Sequence, residues 1–332
     1  MHHFVIDAMG GDNAPGCNVL GAHLALQKFS DVELTLTGPE QTLRSEYSKI
    51  APIPTERLYF LNTTQVVTMD DKGTEAVRRK KDSSLTRAFD LVAEKKAHAV
   101  ISAGNTSAAV FAATLKLRLL PKVERVGIAV ILPGSQRPFV LIDAGANTDP
   151  RPSHLAQYAI MGTLFSKLIH AIPDPEVGLM NVGTEEGKGT DLTREAYDRI
   201  KKLPLRFRGN IEGRDLYENS VDVVVTDGFT GNVILKTSES IASAMMRWIK
   251  KEITASPIAT LGALLAKPAF KKIKQKTDYE EYGGMPLLGV DGLCIIAHGS
   301  SSHRSILNSV RVARLAAQAG LNKYIAENIA KI

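Results

Sequence analysis

The chain has 332 residues, 44% hydrophobic and 23% charged, an ordinary globular mixture long enough for one large α/β unit or two lobes. At 6% the aromatic residues are too sparse to argue for stacking on nucleic-acid bases, and two cysteines, Cys17 and Cys294, make neither a CxxC nor a disulfide framework, as in a reducing cytoplasm. The net charge of +6 is local: residues 247–276 hold eight basic side chains against one acid, Glu252, which leaves the rest close to neutral and unlike a nucleic-acid-binding surface. No apolar stretch is long enough to span a bilayer, and the first residues enter a strand rather than a secretory signal.

Apolar, β-rich runs predict strands near 4–7, 32–37, 57–61, 98–102, 126–132, 138–143, 177–182, 205–211, 221–226 and 291–297. Helix-like segments fall at 15–28, 40–49, 83–96, 107–119, 153–170, 192–202, 231–254 and 302–317. This alternation predicts βα units around a mainly parallel sheet covered on both faces. The run from Val221 to Val225, broken only by Asp222, suits a strand buried on both sides. LPGSQ followed by RPFVLID reads as a hairpin, so some antiparallel pairing is expected. There is no repeat and no low-complexity tract. The chain reads as one unit over 1–332, least αβ-like over 252–290, where Pro257, Pro268 and the basic run lie.

Six of the strand runs stop at a glycine flanked by small polar or charged residues. In a parallel sheet the carboxyl ends of the strands share one edge, so the six loops are expected to gather there around a phosphate-like anion. The first, Asp7 to Pro15, contains Gly10, Gly11 and Asp12 and lacks GxGxxG; Asp12 or Asn13 is placed to cap a helix opened by Pro15, so it reads equally as a ligand loop or a tight turn. Gly104, Asn105, Thr106 and Ser107 precede a helix, as a phosphate seat or as plain N-capping. The Asp143–Asn147 loop carries a carboxylate that would repel an anion and is read as orienting its neighbours. The loop from Gly183 to Gly189 fails the Walker pattern, with three residues between its first two glycines and Gly189 after Lys188; Lys188 is either an anion-reaching cation or a solvated lysine. Gly231 and Asn232 open another helix, with Lys236 one turn on along the same face, as an amide donor site or a capped turn. His298 ends the last strand as acid, base, donor or structural residue. HExxH, GxSxG and a zinc-type ligand cluster are absent from the sequence. A metal and a nucleotide are therefore not expected.

The ordered motifs IDAMGGDNAP, RRKKDSS at 78–84, SAGNT, IDAGAN, EEGKG, EGRD, DGFTGN, YGGMPLLGV and AHGSS resemble those of the bacterial phosphate acyltransferases, or acyl-carrier-protein:phosphate transacylases, from the first strand to the C-terminal helix. Asn13 stands where that family often has His, and Ser107 where Gly is common. The resemblance implies a dimeric three-layer, doubly wound α/β fold with a cleft, similar to phosphotransacetylases and isopropylmalate dehydrogenases. It also implies transfer of a long-chain acyl group from acyl carrier protein to inorganic phosphate, with no cofactor and no nucleic acid. The acyl phosphate would feed a membrane glycerol-3-phosphate acyltransferase. On this reading the Gly104–Ser107 loop and Lys188 hold phosphate, Asn232 donates to the oxyanion or to phosphate, and His298 is a further candidate. Arg78, Arg79, Lys80 and Lys81 are candidates for docking an acidic carrier protein. Residues 254–276 are expected to form a protruding helical element, within about 252–278. Ile258, Leu261, Leu264 and Leu265 lie on one face of it beside Lys267, Lys271, Lys272, Lys274 and Lys276, as in a membrane-surface helix or, alternatively, a dimer contact or core. A cytoplasmic enzyme on the inner face of the membrane is expected. The rival readings are a phosphotransacetylase acting on short acyl-CoA and a catalytically silent docking protein.

Overall fold

A computed structural model describes residues 1–51, 56–218, 220–277 and 279–332; residue 278, the last of the expected protruding element, lies outside these. The strands are β1 (His2–Asp7), β2 (Val32–Gly38), β3 (Leu58–Asn62), β4 (Ala99–Ser102), β5 (Gly127–Leu132), β6 (Phe139–Ile142), β7 (Glu176–Met180), β8 (Arg206–Ile211), β9 (Val223–Val225), β10 (Met285–Leu288) and β11 (Leu293–Ile296). The helices are α1 (Gly16–Lys28), α2 (Glu40–Ser48), α3 (Gly73–Arg79), α4 (Ser84–Ala93), α5 (Thr106–Ala112), α6 (Pro152–Ile169), α7 (Asp191–Ile200), α8 (Gly228–Thr254), α9 (Pro257–Leu265), α10 (Lys267–Thr277), α11 (Tyr279–Tyr282), α12 (His303–Gln318) and α13 (Leu321–Ile329).

Among the described residues the strands form one 11-stranded sheet in the order β3-β2-β1-β4-β11-β10-β5-β6-β9-β7-β8. Two apolar clusters lie on its two faces. One is built with α1, α2, α6, α7, α12 and α13, the other with α3, α4 and α5. This is the three-layer, mainly parallel α/β architecture. Strands such as β4, β6 and β9 are buried throughout, which is why they read as unbroken apolar runs. The expected hairpin is present: β5 and β6 pair antiparallel, Val130 opposite Leu141.

Strand direction departs from expectation. β1, β2, β3, β4 and β11 are mutually parallel. β10 is antiparallel to both β11 and β5, and β5 is antiparallel to β6, so the parallel group β6, β9, β7 and β8 runs opposite to the first. The carboxyl ends of the two groups therefore point to opposite edges, and the six glycine loops divide three and three. β10 was not predicted, because Pro286 and the flanking glycines read as loop. It fits by changing partners along its length: Met285 and Pro286 face β11, while Leu287 and Leu288 face β5.

The ring of His170, just past the end of α6, packs edge-on against Phe165 at 5.6 Å. Burial, with a smaller contribution from the nearby Arg311, lowers its pKa to about 4. The fold favours neutral imidazole, so between pH 6.5 and about 4 the unfolded chain binds a proton that the folded chain refuses. Stability should fall as pH drops through this window. Thermal melts of His170→Phe should show a smaller loss over the same interval; an unchanged pH dependence would contradict the assignment.

Candidate functional site

The first loop group joins the ends of β1, β4 and β11. The side-chain amide of Asn18, buried in α1, donates to Ala8 O and Gly10 O, both at 2.9 Å, and sets the turn. A Cβ on Gly10 would stand 2.7 Å from Gly104 N and 2.8 Å from Asp7 Oδ2, so only glycine lets these two loops touch. Asp12 N donates to Gly299 O at 2.8 Å, and Asn13 Nδ2 to Ser301 O at 3.3 Å. These bonds, rather than the expected capping, are what Asp12 and Asn13 supply, since no side chain caps α1. Beneath them Asp7 accepts from Ser102 Oγ at 2.8 Å, and burial raises its pKa.

Gly10, Gly11, Asp12, Gly104, Asn105, Thr106 and Ser107 are thus brought together, but not all are open to a ligand. Asn105 is buried. Its Oδ1 caps α5 through Ala108 N at 3.0 Å and accepts from Ser107 Oγ at 2.8 Å. Its Nδ2 donates to Thr68 O, Met69 O and Asp71 O. The Asn105 amide is therefore spent on a strap, residues 66–72, that sequence reading passed over as loop. Thr106 remains exposed. Lys80 holds the same strap, donating to Asp71 Oδ2 at 2.6 Å and Val66 O at 2.9 Å, so it is not a free docking cation. This contact holds the Asp71 carboxyl below its ordinary range. Arg78 lies over the Phe111 ring at 5.5 Å, while Arg79 and Lys81 are exposed.

The second group joins the ends of β6, β7 and β9. Asp143 is fully buried and accepts from four backbone N–H groups, those of Ile128, Gly145, Ala146 and Asn147, at 2.7–3.0 Å. Burial raises its pKa against these four donors. It orients its own loop and ties it to β5, in keeping with its sequence context. Asp227 caps α8 through Thr230 N at 2.8 Å, so α8 begins three residues earlier than predicted and Asn232 lies in its second turn. Gly231 is buried against the Asp143 carbonyl and serves close packing rather than ligand contact. Asn232 is exposed, beside Gly145. The Lys188 loop is tied down by Asn210 Nδ2 to Glu185 O at 2.8 Å and Asn181 Nδ2 to Lys188 O at 3.0 Å. Its side chain is exposed and has no ion-pair partner among the described residues.

α8 reaches from the second group to one residue of the first, His298. Asn232, Lys236 and Glu239 share one helical face. Lys236 Nζ is 2.9 Å from Glu239 Oε2, and that same oxygen is 4.0 Å from His298 Nε2. Glu239 was missed, although its position seven residues after Asn232 puts it on that face. Asn232, Val233, Lys236, Ile241 and Ala244 lie along one open face of this helix. Among the described residues no cluster of three or more His, Cys, Asp or Glu is placed to hold a metal ion.

The architecture is that of the phosphotransacetylases. A phosphotransacetylase from Streptococcus pyogenes aligns with a TM-score of 0.62 at 17% identity over 96% of this chain and 94% of its own. A branched-chain phosphotransacylase from Enterococcus faecalis aligns at 0.60 and 12% over 95% and 98%. In sequence, the family model described as fatty acid synthesis protein matches residues 3–324. A phosphate acyltransferase of Desulfitobacterium hafniense is 44% identical over 99% of this chain and 98% of its own, and one of Akkermansia muciniphila 45% identical over 98% and 95%. The chain belongs to the phosphate acyltransferase family, enzymes of fatty acid and phospholipid synthesis.

Proposed function

We propose that the enzyme moves a long-chain acyl group from acyl-carrier-protein thioester to inorganic phosphate by direct attack of bound phosphate. The observation that carries this reading is the open face of α8 that starts at Asn232 and continues over about 18 Å of helix through apolar Val233, Ile241 and Ala244. Phosphate needs no strong base, since its second ionisation lies near neutrality, as for phosphate esters at about 6. A phosphate oxygen attacks the thioester carbonyl and the C–S bond breaks. The thiol, of pKa roughly 8.5 by analogy with cysteine, leaves as thiolate and takes a proton from water. Lys188 and the N–H groups of the Thr106 turn offset the phosphate charge, and the Asn232 amide donates to the oxyanion. The test is phosphate-dependent loss of acyl-acyl-carrier-protein with acyl-CoA run in parallel. Faster turnover of acyl-CoA would favour the phosphotransacetylase reading, and no turnover of either would favour the silent docking protein.

Carrier protein is proposed to dock near Arg78, Arg79 and Lys81. A second copy is proposed to pack on α8, where Met245, Trp248 and Ile249 form one exposed apolar stripe. The element beyond it is two helices and not one continuous helix: Ser256 caps α9, and the ring of Pro268 forbids α9 from continuing past Ala266. α9 buries no residue. Ile258, Leu261, Leu264 and Leu265 are 84%, 63%, 62% and 81% exposed, and Lys267, Lys271 and Lys272 follow. This is the composition of a helix resting on an anionic membrane, each nearby lysine adding about 1 kcal/mol. Such seating would hand the acyl phosphate to a membrane glycerol-3-phosphate acyltransferase. Among the described residues no helix is long and apolar enough to cross a membrane. Leu261→Glu/Leu265→Glu should stay folded and dimeric but no longer sediment with anionic vesicles; sedimentation like the parent would remove the membrane reading.

A further inference from the structure

A second cavity, of about 490 Å³, lies at the opposite edge of the first strand group, where β1, β4 and β11 begin and α12 gives way to α13. Its floor is apolar, with Val92, Leu293 and Ala317, and its rim carries His2, Lys95, His98, Lys323 and one acid, Asp291. His2 Nδ1 is buried there without a hydrogen-bond partner, a costly arrangement for a polar atom unless something meets it. The His98 ring stands edge-on to it at 5.6 Å, its own Nδ1 beside His3 N at 3.1 Å, which leaves Nε2 for the cavity. The acids nearby are already paired: Asp291 with Lys95 at 2.9 Å and Asp31 with Arg314 at 2.7 Å. Lys323 has no such partner among the described residues. The Lys95–Asp291 pair is more than half exposed and opens at little cost. α13 enters from Gly320 in a left-handed conformation, φ 63°, with neither a side-chain cap nor an acid in its first turn, so its leading N–H groups add to the positive potential.

We propose that this cavity binds a small organic anion with an apolar body, a carboxylate or phosphomonoester head on a short alkyl chain. The volume is in the range of small-molecule sites. The head meets Lys323, the two histidines and the start of α13, and the chain covers the apolar floor. β1, β4 and β11 run from here to the loops at Gly10, Gly104 and His298. A bound anion therefore acts on the same three strands from roughly 20 Å away, without touching the α8 face.

The test is a titration of the whole protein, with its histidine rings isotopically labelled, against octanoate, octyl phosphate and inorganic phosphate, each below any micelle concentration. Either amphiphile should move the His2 and His98 resonances and raise the apparent pKa of His2, since an anion favours imidazolium. The more effective of the two identifies the head group. Ala317→Trp, which fills the floor, should abolish the shifts. Lys323→Glu, on the surface and safe for folding, should weaken them by roughly tenfold, as reversing one charge implies. Both variants should keep phosphate-dependent turnover in the absence of amphiphile. Unmoved His2 and His98 resonances would overturn the proposal. So would shifts that persist unchanged in Lys323→Glu, or inorganic phosphate acting as well as the amphiphiles.

Discussion

Asn232→Ala should lose on the order of 10²–10³ in kcat, the usual cost of one oxyanion donor, and Lys188→Ala should lose most turnover, while both fold as the parent does. Both side chains are exposed and neither bears on the core, so circular dichroism and melting temperature should be unchanged. The two losses should differ in kind. Lys188 is proposed to hold ground-state phosphate, so its removal should also raise the KM for phosphate. Asn232 is proposed to meet charge that develops during attack, so its removal should fall mainly on kcat. Near-parent turnover in both variants would remove the site assignment, although it would leave the family membership intact. Glu239→Gln gives a gentler check on the junction. It should leave His298 and Lys236 less constrained and reduce turnover far less than either alanine variant.

Most of the secondary structure could be read from the sequence because buried strands are apolar runs and helix faces repeat at 3.6 residues. Direction could not. Whether β6 runs with β1 or against it depends on the pairing of β10 and β5, and nothing in the composition of FVLI or VVV encodes that. The expectation that all six glycine loops share one edge failed for this reason, although α8 does bring His298 within 4.0 Å of a carboxylate on the helix that carries Asn232. Site residues were legible by type and not by availability. Asn105 and Lys80 have the chemistry of ligand contacts, but their partners are backbone carbonyls and an acid in a strap with no sequence signature. Thr106, Lys188 and Asn232, in equally ordinary contexts, are among those left exposed.

Gly231→Ala should be the most damaging single-methyl change near the site, and Gly187→Ala among the mildest. In sequence the two are alike, each a glycine within one residue of a proposed catalytic side chain. In the fold they differ completely. A Cβ on Gly231 would stand 1.8 Å from the Asp143 carbonyl oxygen and 3.0 Å from Thr226 Cγ2, with backbone on the near side and no flexible side-chain end to yield. The first turn of α8 must then back away from the 143–147 loop. That strains the Gly228 N to Asn147 O bond, 2.8 Å in the parent, and carries Asn232 out of place. Overpacking of this sort costs about 1–3 kcal/mol. A displacement of Asn232 by even 1 Å would cost about 10²-fold in rate. Around Gly187 a Cβ meets nothing within 4 Å, and an alanine in an open loop slightly reduces the entropy of the unfolded chain. Urea unfolding and steady-state kinetics on the pair would therefore separate packing from chemistry. The expected result is a large loss of both stability and turnover in Gly231→Ala and little change in either for Gly187→Ala. If Gly231→Ala keeps full turnover, then the close seat of α8 on the Asp143 loop is not what positions Asn232.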